Sequence, residues 1–170
     1  MAANPILPPK PTAPRVGELS REAAGEIHHH LRRLLADVFA LYMKTKGFQW
    51  HLRGRHFRDY SLLLDEHAAQ LLAMTDRVAE RTRKIGGATL RSIGDVARYQ
   101  TIRDQSMVIS RPLGMLQELH QDNRQLTRTL GLLHEICWEY GDVATASLIA
   151  SWIDEAEGRA WHLMEATRDY

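Results

Sequence analysis

Residues 46–87 read KGFQWHLRGRHFRDYSLLLDEHAAQLLAMTDRVAERTRKIGG. Within this stretch Leu64, Ala68, Leu71, Thr75 and Val78 recur every three or four residues, the spacing that places side chains on one face of an α-helix. The pattern predicts a helix starting near Phe57 or Asp59, running to about Ile85 and stopped by Gly86-Gly87. The segment before it, Arg53 to Arg58, is basic and reads as a connection around Gly54. Asp65, Asp76 and Glu80 share a second face of the same helix, because at 100° per residue their directions differ by only tens of degrees. Asp65 and Asp76 are nevertheless about 16 Å apart along the axis, too far to share one ion. Two acidic patches at opposite ends of one face become complete sites only if a second copy packs against it under two-fold symmetry.

Working outward, Ile27, Leu31, Leu34, Val38 and Leu41 predict a first helix from Ser20 to near Lys46, or through Trp50 if it breaks only at Gly54. Residues 88–109 form a long connection with a short helix expected around Ser92 to Tyr99. Ser110 and Pro112 suit a helix start, and Leu116, Leu119, Asn123, Leu126, Leu130, Leu133 and Cys137 follow as a bundle seam. After Gly141, Asp142 can cap a last helix with the stripe Ala146, Ile149, Ile153, Ala156, Ala160 and Leu163. Four long helices joined by two short links and one long one define an all-α, ferritin-like four-helix bundle, with a short helix in the crossover between the second and third.

The 170 residues, 44% apolar and 25% charged, suit a single domain at residues 20–170. Residues 1–19 are expected to form a flexible tail, since five of the six prolines fall in the first seventeen residues. A formal charge of +1 argues against coating nucleic acid by bulk electrostatics. The lone Cys137 fits a reducing cytoplasm, and no apolar run approaches a membrane span. Nine histidines suggest metal chemistry. Yet His28, His29 and His30 point to three sides of one helix, and Glu26-x-x-His29 has no second copy, which argues against a larger di-iron bundle. His67, His120, His134 and His162 read as surface or interface residues, Asn123 as a hydrogen-bonded core amide and Cys137 as apolar filler.

Several features of the quoted stretch resemble the Dps family, the DNA-binding proteins from starved cells. They are the Trp50 segment, the Gly54 turn with Phe57, Asp65-Glu66, Asp76, Ala79-Glu80-Arg81 and Gly86-Gly87. Weaker likeness continues through Asp142-Val-Ala-Thr-Ala and Asp154 to Trp161. The resemblance implies a cytoplasmic, twelve-subunit cage built from two-fold dimers. It would store iron (Fe2+/Fe3+) and detoxify Fe(II) by oxidising it at inter-subunit sites, protecting DNA. Asp76 and Glu80 would come from one subunit and Asp65 from its partner, with Glu80 as the central ligand. Trp50 would stand beside the site as packing or as a radical quencher.

The chain departs from that family at two positions, where Gln49 and Ser61 stand in place of the usual histidines. Gln49 can offer its amide oxygen, Ser61 can hold a bridging water, and His51 is a weaker candidate ligand. Loss of both imidazoles predicts weakened iron binding and weakened or abolished ferroxidase activity. The rival reading is a stress-associated structural or DNA-binding shell without that activity. Lys10 and Arg15 are the only charged side chains of the first seventeen residues, repeated twelve times on a cage, so weak, salt-sensitive DNA contact and association with the nucleoid are expected, with Arg53, Arg55 and Arg58 as a second basic loop. Asp142 and Asp154 are candidates for an acidic ion entrance.

Overall fold

A computed structural model describes residues 19–105 and 111–168. Five helices follow in order: α1 (Arg21–His51), α2 (Phe57–Lys84), α3 (Ile93–Tyr99), α4 (Pro112–Glu139) and α5 (Val143–Ala166). There is no strand among the described residues. The Ser20 hydroxyl caps α1 by accepting from the Ala23 amide at 3.1 Å, and Ser92 does the same for α3 from Asp95. Asp142 caps α5 as expected, accepting from the Thr145 amide at 3.0 Å. Pro112 occupies the first turn of α4, where its missing N–H costs little. Ser110, expected as the cap of that helix, lies outside the described residues, and Arg111 at the cap position makes no side-chain cap bond. The tail with Lys10 and Arg15 also lies outside them.

Helix α1 takes the longer of its two expected courses. It passes through Gly47 and ends where Leu52 turns extended, and the reversal into α2 uses Gly54 at φ +108°, a conformation that side chains with a Cβ rarely adopt. At the far end of α2, a Cβ on Gly87 would stand 2.6 Å from the Cβ of His28, so only glycine lets the chain leave α2 so close to α1.

Helix α1 packs mainly on α2 and α4 on α5, α3 lies across α1, and α2 and α5 touch only sparsely. The expected stripes of α2 and α4 are buried throughout, including Thr75, Asn123 and Cys137. In α5 one residue differs: Trp152 is fully buried in the core and Ile153 only partly. The buried positions 149, 152, 156, 160 and 163 keep the three–four spacing, so the large indole faces the centre and Ile153 flanks it. Burial pushes the Cys137 thiol up to about 12, in keeping with an inert core residue.

Two polar devices hold the crossover and the α1–α4 seam. The buried Asp37 carboxylate accepts from the Thr101 amide, from the Thr101 hydroxyl at 2.8 Å and from the Ile102 amide at 3.0 Å. This ties the end of the long connection to the middle of α1, and Ile102 is buried beside it. The Lys44 ammonium lies 2.6 Å from Asp122 and 3.1 Å from Glu118. Both devices are charged groups taken from water and satisfied by specific partners, as buried charges must be.

Candidate metal centre

The α1–α2 reversal brings the last turns of α1 against the first turns of α2, and four predicted or adjacent polar residues meet there. Lys46 Nζ lies 2.9 Å from Asp65 Oδ1 and also donates to Gln49 Oε1. Gln49 Nε2 donates to the Ser61 carbonyl at 3.1 Å and to Asp65 Oδ1 at 3.2 Å, with the Ser61 hydroxyl 3.5 Å away. Of the candidate ligands, then, Gln49, Ser61 and Asp65 are brought together. The Gln49 amide oxygen, expected to offer itself to a metal, instead accepts from Lys46, while its N–H group faces Ser61 and Asp65. Hydrogen bonds from Lys46 first and Gln49 second hold the Asp65 carboxyl below its ordinary range, so it stays ionised. Sequence reasoning passed over Lys46. The signal that could have found it was its place three residues before Gln49, one turn back on the same face.

The other candidates are placed apart from this cluster. Asp76 and Glu80 lie three to four turns further along α2, both exposed. Glu80 pairs with Lys84 at 3.3 Å, whereas Asp76 has no hydrogen-bond or ion-pair partner among the described residues. Arg77 and Arg81, close to these acids along α2, reach α5 instead: Arg77 stands 3.7 Å from Glu155, and Arg81 2.6 Å from Asp142. His51 is exposed and its Nδ1 lies 2.7 Å from the Gly47 carbonyl, away from the Lys46 cluster. Trp50 is exposed. Asp142, expected near an ion entrance, is buried, with its carboxylate taken up by the α5 cap and by Arg81. Asp154 is exposed. His67, expected at a surface, is buried, because the α2–α5 side of the bundle closes over it.

Among the described residues, no three histidine, cysteine or acidic side chains are gathered as a metal would require. One chain therefore presents two separate acidic groups along α2: Asp65, paired with Lys46, and the exposed Asp76 and Glu80, which offer hard oxygen donors.

This chain matches the ferritin-like domain family over residues 28–169. It is 30% identical over 139 residues to DNA protection during starvation protein 1 of Deinococcus radiodurans, spanning 82% of this chain and 67% of that relative. The chain belongs to the Dps family of ferritin-like proteins. A low temperature-induced protein of Nostoc is 32% identical over 134 residues, 78% of this chain and 75% of its own length. Among solved Dps structures, DpsC from Streptomyces coelicolor superposes with a TM-score of 0.86 at 28% identity, covering 94% of this chain and 92% of that one. The Dps of Thermosynechococcus elongatus shares the fold at a TM-score of 0.85 and 24% identity, over 88% and 94% of the two chains. The all-α, ferritin-like architecture read from periodicity is thus the architecture of the family.

Proposed function

We propose that this Dps-family chain forms an iron-storing cage whose capacity to oxidise Fe(II) is reduced at each inter-subunit site. The observation that carries this reading is the Lys46 ammonium seated between Asp65 and Gln49. A tethered cation on the carboxylate repels an incoming metal cation, and no imidazole is present in the cluster to add affinity. The residues at this end therefore fit iron poorly. The exposed Asp76, and Glu80 beside its equally exposed partner Lys84, are left to receive Fe(II) as substrate, with Glu80 central, and a partner subunit's Asp65 end completes the site across a two-fold axis. A cleft of about 820 Å³, lined by Phe39, Met43 and Phe48 of α1, Ile93 and Val96 of α3 and Met115 of α4, supports such an apolar contact between copies. Exposed Trp50, Phe57 and Leu62 flank the same reversal and would be covered with it.

In the assembled state we expect a cytoplasmic dodecamer. Asp154 remains a candidate for an acidic entrance, whereas the Asp142 carboxylate is already bonded within the chain. Lys10 and Arg15 supply a weak, salt-sensitive contact to DNA that deletion of residues 1–17 removes. Reduction of one hydrogen peroxide to water takes two electrons, one from each of two Fe(II) ions, and two protons.

The decisive test is the rate of Fe(II) oxidation by hydrogen peroxide, wild type against a Gln49→His, Ser61→His double variant. The proposal expects a slower wild type; equal rates would overturn it. Complete inactivity of wild type beside an active variant would favour the shell reading over residual catalysis. Size-exclusion mass tests the cage, which a stable monomer contradicts.

A further inference from the structure

The sparse seam between α2 and α5 is polar along much of its length. Arg81 Nε donates to the Thr145 hydroxyl at 2.6 Å. Further along, the Arg77 guanidinium stands 5.8 Å above the Trp152 ring, and beyond it the Arg159 side chain of α5 crosses toward α2. The rings of His67 and His162 stack at 5.8 Å and 24° one turn further on. Of the cations in this seam, Arg159 is the one left with a buried donor unanswered.

Arg159 is 1% exposed. Its Nε donates to Asn123 Oδ1 at 2.9 Å and its Nη1 to Gln70 Oε1 at 3.3 Å, both neutral amide oxygens. Its Nη2 is buried without any partner, and so is Nε2 of His67, a residue only 2% exposed. No carboxylate bonds this guanidinium among the described residues, and Glu155, one turn away, is paired with Arg77. Burial pushes Arg159 down to about 10, with Glu155 pulling it up, which leaves it cationic at neutral pH. The neighbouring His67 ring, stacked on His162, holds the second orphaned nitrogen. The interior thus holds a positive charge with a free N–H arm, together with an orphaned ring nitrogen that can carry its proton on Nε2. An uncompensated buried charge is costly, and buried unpartnered donors point to an ion or water between them. A water would satisfy the donors but leave the charge; an anion answers both.

We propose that the α2–α5 seam binds a small monovalent inorganic anion of halide size, held by Nη2 of Arg159 and by the Nε2–H tautomer of His67. The anion completes the guanidinium's set of acceptors from inside the bundle and joins α2 to α5 where the two helices otherwise touch only sparsely. Its binding is independent of the iron chemistry proposed above.

The test uses the full assembled protein, dialysed free of halide. Thermal unfolding is followed in sodium bromide and in sodium gluconate at equal ionic strength, gluconate being too bulky for the seam. For a site of millimolar affinity filled from about 0.1 M salt, the midpoint should rise by about 5–10 °C in bromide, saturably, and Arg159→Met should abolish the difference. Equal midpoints in the two salts, or the same bromide effect in the variant, would overturn the proposal. Should Arg159→Met fail to fold, wild-type crystals grown in bromide decide the matter. An anomalous peak within hydrogen-bond distance of Arg159 Nη2 and His67 Nε2 is expected; a water there without anomalous signal, or a carboxylate from a neighbouring subunit on Nη2, would refute it.

Discussion

Lys44 and Lys46 stand two residues apart on α1, and each pairs with an aspartate of another helix, yet the two pairs do different work. Two residues on a helix differ by about 200°, so Lys44 turns into the α1–α4 seam while Lys46 turns toward α2. The Lys44 side chain is 5% exposed and that of Asp122 11%; the Asp65 side chain is 63% exposed. Burial raises the Asp122 carboxyl above its ordinary range despite the bond from Lys44, whereas the bonds from Lys46 and Gln49 lower Asp65. Removing a charge from water costs several kcal/mol per ion, a cost the exposed Asp65 carboxylate does not bear. The same two residue types make a structural tie in one place and, in the other, a cation over the carboxylate proposed to meet a metal.

The comparison can be broken most forcefully at Lys44. Replacement by methionine leaves the buried Asp122 carboxylate unpartnered and should cost about 3–5 kcal/mol in urea unfolding. A Lys44→Met, Asp122→Leu double variant should recover most of that loss, because the penalty belongs to the orphaned charge. At the other pair the large effect is kinetic. Gln49→His with Ser61→His should raise peroxide-driven Fe(II) oxidation by about 10- to 100-fold, measured by stopped-flow absorbance, with no comparable gain in stability.

Smaller differences sharpen the contrast. The folded Asp122 carboxyl titrates above its unfolded value, so between the two the folded state binds more protons and this group's contribution to stability falls as pH rises. Asp122→Asn should remove that slope from the acid limb of a stability profile. The smallest thermal effect belongs to Lys46→Met, which should leave the melting midpoint unchanged while strengthening Mn(II) or Co(II) binding measured by calorimetry. Weaker cation binding in that variant would show that Lys46 does not obstruct the site.

Much of the fold was legible because it depends on local periodicity. The α2 and α4 stripes, the stops at Gly86-Gly87 and Gly141 and the Asp142 cap each follow from spacing within one helix, as does the short crossover helix from Ser92. Trp152 was missed in favour of Ile153 because adjacent positions both border the inward face, and only packing selects which one faces the centre. The candidate ligands were legible by type and spacing, but their occupation was not. Nothing in spacing alone tells that the Lys46 ammonium closes on Asp65 or that Asp142 spends its carboxylate on Arg81 and an α-helix cap.

By itself the sequence determined the helical class and the lengths and order of the helices, since each is a property of neighbours along the chain. Only the tertiary structure decided which charges are neutralised and which are left over. Lys46 meets Asp65 across 19 positions, Lys44 meets Asp122 across 78, and Arg159 comes to rest in the interior with an arm unclaimed. Those outcomes depend on how far each side chain is removed from water and what another helix places opposite it, and both are fixed when the bundle closes.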